Sequence, residues 1–180
     1  MQTTLIVLFT IIIIITIMYS IYINNYGKLI YYKIRVDKAE KEIETELENR
    51  YSLVKQAENA IKKSARIEIK EFKELDDLKE KNSVSPIELD NKLTEVINTI
   101  YMVQDDYPKI AKKKDLNVVL SKLNTSDTNI LAAKSFYNKN NNSLNELLKK
   151  FPSKLIARIK NINIQPSYDI KEIIDTDKEI

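Results

Sequence analysis

Apolar and small residues recur at intervals of three and four from Lys28 to Lys81, at Ile30, Ile34, Ile43, Leu47, Tyr51, Val54, Ala57, Ile61, Ala65, Phe72 and Leu75. That spacing lays one stripe along one helical face and predicts a single helix, ragged only from Arg66 to Ile69. No Gly or Pro interrupts the stretch, and Asp37 before Lys41, Glu46 before Arg50 and Glu58 before Lys62 are spaced to pair on its exposed face. About fifty such residues would make a rod roughly 75 Å long. A stripe of that length cannot bury itself, so later helices are expected to lie against it.

Upstream the pattern changes. Met1 to Ile23 contains no charged side chain, and Leu5 to Ile23 is nearly all large apolar residues, Leu5, Ile6, Ile12, Ile15 and Ile21 among them. A helix needs roughly 20 such residues to cross the hydrocarbon core of a bilayer. Tyr19, Tyr22, Tyr26, Tyr31 and Tyr32 gather at its C-terminal end, where an aromatic belt belongs. A cleaved signal would want a basic start, a shorter apolar run and small residues at a cleavage site, and none is evident. The reading is a single-pass membrane anchor. Lys28, Lys33, Arg35, Lys38 and Lys41 all follow it, so the positive-inside rule places the short N-terminus outside the cell membrane and the bulk of the chain in the cytoplasm. Asn24, Asn25 and Gly27 read as a joint between anchor and rod.

Four prolines divide the rest. Ser85-Pro86-Ile87-Glu88 is a helix start, with Ser as N-cap, Pro at the first position and Glu completing a capping box. The helix it opens carries Leu89, Leu93, Val96, Ile100 and Val103 and ends at the Tyr107-Pro108 corner. Another is expected from about Asp115 to Lys150, with Leu116, Val119, Leu123, Ile130, Tyr137, Leu144, Leu148 and Phe151 in register. The run Asn138 to Asn142 weakens it without breaking its period. Phe151-Pro152 makes the last corner, and a short helix with Leu155, Ile156 and Ile159 follows. Short turns make neighbouring helices antiparallel. The expected fold is all-α: an anchor and joint over 1–27, an elongated antiparallel bundle of three long-to-medium helices plus a short fourth over 28–162, and a polar, disordered tail over 163–180.

Composition then narrows the chemistry. The 180 residues include one Gly, no Cys, no His and no Trp, and 29 basic against 26 acidic side chains leave a net charge of +3. There is no thiolate or imidazole for nucleophilic, acid–base or metal work, and no phosphate-cradling glycine motif. The mixed surface argues against nucleic acid. Asp76-Asp77 and Asp105-Asp106 are carboxylate pairs, but adjacent helical residues point about 100° apart, and neither pair has a His, Cys or glycine loop beside it. Lys112-Lys113-Lys114 reads as a solvated helix corner. The chain is therefore read as a non-enzyme with no cofactor, no metal site and no small-molecule substrate. More telling are Asp127, Lys134 and Asn141, which recur every seven residues at the border of an apolar seam. They suggest a polar ladder satisfied by the first long helix, with Arg50 facing Asp127 and fixing register.

Several phrases together resemble the LemA family. Val36-Asp37-Lys38-Ala39, Ile43, Leu47, Arg50 and Leu53-Val54 look like its first helix; Tyr107-Pro108, Leu120, Leu123 and Ile130 fit its middle; Tyr137-Asn138, Asn145, Phe151-Pro152-Ser153 and Ile156-Ala157 fit its end. The departures are that Arg50 to Glu58 lacks the family's Arg-Asp-Leu-Ile-Pro-Asn-Leu-Val, that Asp127, Lys134 and Leu144 replace Glu, Arg and Tyr, and that Asn161-Ile162 replaces Gly-Phe. The resemblance implies a membrane-anchored helical domain with a small external N-terminus and a cytoplasmic body. It adds Tyr137 and Asn138 to the candidate polar core of Arg50, Asp127, Lys134 and Asn141. The expected role is a scaffold or adaptor recruiting a protein partner at the membrane. The alternative is a self-assembling, coiled-coil-like structural rod of the cell envelope, its ragged stripe completed by a second copy.

Overall fold

A computed structural model describes residues 2–65, 68–81, 84–107 and 112–168. Among these the chain forms α1 (Gln2–Ala65), α2 (Lys70–Lys79), α3 (Pro86–Asp106), α4 (Lys114–Lys149) and α5 (Ser153–Ile159), with no strand. The all-helical class and the Pro-gated starts follow the sequence pattern. Ser85 Oγ accepts the Glu88 N–H at 3.1 Å, and Pro86 occupies the first turn of α3. Tyr107 closes that helix by donating its N–H to the Val103 carbonyl. Pro108 lies outside the described residues.

Two expectations about the first helix are overturned. The joint at Asn24, Asn25 and Gly27 does not exist, because α1 passes through it without interruption. Asn25 instead donates its side-chain amide to the Ile21 carbonyl at 2.7 Å, one turn back, which keeps it within the helix. The single long helix to Lys81 also does not exist: α1 ends at Ala65, and a separate α2 begins at Lys70. Leu75 lies on a face of α2 with Phe72 and Leu78, all three buried. Tyr51 and Lys55 on α1 both bond Asp76, and Lys79 reaches Glu48, so α2 doubles back along α1.

The chain groups into two compact units. One comprises 1–38 and 136–167. Within it the first part of α1 and the last part of α4 run antiparallel: Arg35 lies over the Phe136 ring at 5.1 Å, and Ser153 Oγ meets Asn25 Oδ1 at 3.0 Å. Leu5, Ile6, Ile12, Ile15 and Ile21 are all exposed, as is the whole apolar run around them. One window of this helix is long and apolar enough to cross a membrane. Ile34, expected on the stripe, is 60% exposed, because the buried positions nearby are Leu29 and Val36, on the other side of α1. Phe151 is 85% exposed: α4 stops at Lys149, and Pro152 keeps the chain from carrying Phe151 along the helical face. Leu155 and Ile159 are exposed as well.

The other unit comprises 39–135 and, among the described residues, Tyr168. Its core is Ile43, Leu47, Val54, Ala57 and Ile61 from α1, Leu93, Val96, Ile97 and Ile100 from α3, and Leu116, Leu123 and Ile130 from α4, all at most 1% exposed. The α3 and α4 segments are antiparallel, as Asp90 meets Lys134 while Tyr101 meets Asn124. Lys92 on α3 bonds Glu74 on α2 at 2.6 Å, which closes a four-helix bundle.

Candidate functional site

Within this second unit, polar side chains enter the apolar core from three helices. Glu46 and Arg50 stand one turn apart on α1, Asp90 follows the N-terminal turn of α3, and α4 supplies Ser126, Asp127 and Lys134. The spacing of seven between Asp127 and Lys134 returns both to the inward face. Arg50 is 1% exposed, Asp90 4%, Lys134 5% and Asp127 8%, a degree of burial charged side chains reach almost only when paired. Arg50 Nη2 lies 2.8 Å from Asp127 Oδ1, and Lys134 Nζ lies 2.5 Å from Asp90 Oδ2. Ser126 donates its hydroxyl to Glu46. Two buried cations thus meet two buried carboxylates, and the belt is neutral apart from half-buried Glu46.

The two pairs differ in quality. Neither Arg50 Nη2 nor Asp127 Oδ1 makes an aligned hydrogen bond to another protein atom, nor does Arg50 Nε, so their approach is an ion contact only. Burial therefore pushes the Asp127 carboxyl above its usual value of 3.8; Arg50 and Lys134 pull it down, and Asp90 and Glu46 add to the rise. A second cluster lies on α1 and α2. Glu58 is 5% exposed and takes Lys55 and Lys62, each at 2.5 Å, on its two oxygens. Burial alone would raise the Glu58 carboxyl, but the two lysines outweigh it and hold it below 4.5. Asp76, of the first carboxylate pair, is held by Lys55 at 2.8 Å and by the Tyr51 hydroxyl at 3.0 Å, while Asp77, Asp105 and Asp106 are exposed.

The remaining candidates act in the first unit. Tyr137 donates its hydroxyl to the Pro166 carbonyl at 3.2 Å, and Asn141 donates its amide to the carbonyls of Gln165 and Pro166, each at 3.0 Å. Asn145 exchanges two bonds with Gln165. The weak helix former run on α4 is thus a clamp on the extended residues 163–167, which the sequence pattern assigned to a disordered tail. Residues 169–180 lie outside the described residues. Asn138 is half-buried on the same helix.

The structure brings Arg50 and Asp127 together but divides the expected ladder among three partners. Lys134 meets Asp90 on α3 rather than α1, and Asn141 meets the C-terminal segment. Asp90 is missed by the sequence reading, and Glu58, expected with Lys62 on the exposed face, keeps that partner but is buried at 5%, although the same signal marks both as inward. Asp90 lies on the stripe of Leu93, Ile97 and Ile100, and Glu58 on that of Val54 and Ile61. Chemically the belt pairs charges between α1, α3 and α4; among the described residues no group of three or more His, Cys, Asp or Glu could hold a metal ion.

An antiparallel all-α bundle with internally neutralised charge, opened by one long apolar helix, defines a class of helical-bundle protein with an N-terminal apolar segment. The LemA family model matches residues 39–179, and the chain belongs to the LemA family. No curated protein matches it.

Proposed function

We propose that this protein is a single-pass, membrane-anchored, non-catalytic scaffold that recruits a partner protein at the cytoplasmic face of the cell membrane, its short N-terminus outside. The observation that carries the reading is the exposed apolar run from Leu5 to Ile23 on the same uninterrupted helix that supplies Arg50 to the polar belt. Water is a poor solvent for so long a band of Ile, Leu and Phe, whereas a bilayer core matches its length. The cations that follow, Lys28, Lys33, Arg35 and Lys38, support the orientation. The rigidly paired interior supports a scaffold rather than a site of chemistry, since Asp76, Asp90, Asp127 and Glu58 are each held by a cation.

The envelope-rod alternative drew on the ragged stripe being completed by a second copy. Phe72 and Leu75, just beyond that ragged Arg66–Ile69 patch, are covered within this chain, which narrows the apolar surface left for a second copy; Arg66 and Ile67 lie outside the described residues. Two measurements test the proposal. Protease added to intact cells should spare the region after Ile23 and digest it only after lysis; digestion in unbroken cells would reverse the orientation. Proximity labelling from a tag at the C-terminus should then mark one recurring protein in a 1:1 crosslink with a monomer. A stable homo-oligomer of the full chain in detergent, with no hetero-crosslink, would favour the rod.

A further inference from the structure

The first unit carries an outward apolar face that its own packing leaves open. On α5, Ser153, Ile156 and Ala157 are buried, and at 100° per residue Leu155 and Ile159 fall on the opposite side. Leu155 is 53% and Ile159 67% exposed; Phe151, four residues before Leu155, is 85% exposed. Beside this face stand Lys154 and Arg158, with Lys160 flanking and with Lys149 and Lys150 each within 3.6 Å of Glu146; no Asp or Glu occurs from Leu147 to Tyr168. The position of α5 matters as much as its composition. Ser153 at its start meets Asn25, and Lys160 just past its end lies 5.5 Å from the Tyr26 ring. Both ends thus reach adjacent residues of α1, so α5 lies across that helix, two to three residues beyond the last apolar position of the Leu5–Ile23 run.

From this placement we infer that α5 and the Phe151 corner form an interfacial membrane contact, with Phe151, Leu155 and Ile159 entering the headgroup–acyl boundary and the surrounding lysines and Arg158 binding anionic lipid. The inference rests on the anchor reading proposed above. If Leu5 to Ile23 spans the bilayer, Asn25 and Tyr26 stand at its cytoplasmic surface, and a helix crossing α1 there lies in the interface plane. A short element with one apolar face and cations beside it is the composition that plane selects, and each Lys or Arg near an anionic surface adds to the attraction. The contact would give the chain a second, charge-dependent attachment that the anchor does not supply.

The chain contains no Trp, so single tryptophans report depth without background. Full-length Leu155→Trp, Phe9→Trp and Val118→Trp proteins are reconstituted into phosphatidylcholine vesicles with and without phosphatidylglycerol, and quenching by lipids brominated near the headgroup or deep in the chain is measured. Phe9→Trp should be quenched by the deep bromines in both vesicles, and Val118→Trp, on exposed α4 surface, by neither. Leu155→Trp should be quenched by the shallow bromines, at least about twofold more strongly with anionic lipid, and Lys154→Glu with Arg158→Glu should abolish that difference. An unquenched, solvent-like Leu155→Trp beside a quenched Phe9→Trp would overturn this contact while leaving the anchor intact. Equal quenching in both vesicles would overturn the anionic-lipid part. An unquenched Phe9→Trp would overturn the anchor and this contact together.

Discussion

Removing the Arg50–Asp127 pair one side at a time should cost far more than removing it whole. Arg50→Met leaves a carboxylate 8% exposed that still feels the charge of Lys134, and Lys134 is already committed to Asp90. Asp127→Leu leaves a guanidinium 1% exposed and takes away its ion contact. Breaking a buried pair in this way costs about 3–5 kcal/mol, whereas replacing both members with apolar side chains of similar volume is often neutral or stabilising. The contact here is not an aligned hydrogen bond, so its attraction offsets its desolvation only in part, and the double variant should be within about 1 kcal/mol of the parent. At roughly 2–4 °C per kcal/mol, each single substitution should lower the melting temperature by about 6–20 °C. Thermal unfolding of the full chain in detergent, followed by circular dichroism, gives all four corners of the cycle. A double variant whose loss equals the sum of the singles would show that the two side chains do not act on each other. The carboxyl itself offers a second readout. Its folded value is raised, so the stability it contributes is complete below its unfolded value near 3.8 and is lost as pH rises through the folded value. The carbon-13 shift of the Asp127 carboxyl should therefore titrate above 3.8, and a midpoint below it would contradict the dominance of burial.

Three further outcomes follow from particular positions. Ile130 is 1% exposed on α4, so Ile130→Ala should cost about 2–5 kcal/mol, and an unchanged melting temperature would refute its place in the core. Asn161 follows α5 with φ of 52°, and the Ile162 N–H closes back on the Ala157 carbonyl at 2.9 Å. Asn161→Gly should thus be tolerated within about 0.5 kcal/mol, while Asn161→Val should cost about 1–2 kcal/mol in the same denaturation assay. Hydrogen bonds from Lys70 and Lys92 hold the Glu74 carboxyl down to about 2, so its contribution is complete above 4.5 and is lost as pH falls through about 2. Glu74→Gln should flatten that acid limb in a pH-dependent melting series, and an unchanged limb would show that the Lys92 link between α2 and α3 carries no weight.

Much of this arrangement is legible from local rules because those rules act through single elements. Ser85 and Pro86 announce α3 by capping chemistry that needs no tertiary partner, and the structure shows the Ser85 bond. The facing of Arg50 and Asp127 is also readable, since a charge at stripe spacing must find an opposite charge. Periodicity, however, names a face and not a neighbour. It placed Lys134 inward but could not distinguish Glu or Asp on α1 from Asp90 on α3. The break after Ala65 leaves no Gly or Pro signature, because what stabilises it is non-local: Phe72, Leu75 and Leu78 gain burial, and Asp76 gains Lys55 and Tyr51. The absent joint at Gly27 errs in the other direction. Two Asn and one Gly cost a helix about 2 kcal/mol by propensity, which the bonded Asn25 and its apolar flanks override.

The departures from the LemA pattern take on a different weight once these contacts are known. Asp127 and Lys134 stand where the resemblance to the family implies Glu and Arg, and each carries the same sign of charge. The shorter Asp still comes within 2.8 Å of Arg50, and the Lys still reaches Asp90 at 2.5 Å. Asn161 replaces a Gly at a position whose φ is 52°, and Asn is the non-glycine residue that best tolerates that conformation. Ile162, in place of Phe, remains 8% exposed beneath the end of α5. The stretch from Arg50 to Glu58 lacks the family's proline, and α1 continues through it to Ala65 without a break. At the belt and at the α5 terminus, then, the substitutions preserve charge, backbone conformation or burial, each of which the fold requires. The Arg50–Glu58 stretch differs in kind: it carries no helix breaker, its Lys55 ties α1 to α2 through Asp76, and Glu58 pairs with Lys55 and Lys62 along α1. A feature particular to this chain should therefore be sought along that α1–α2 face before it is sought in the belt.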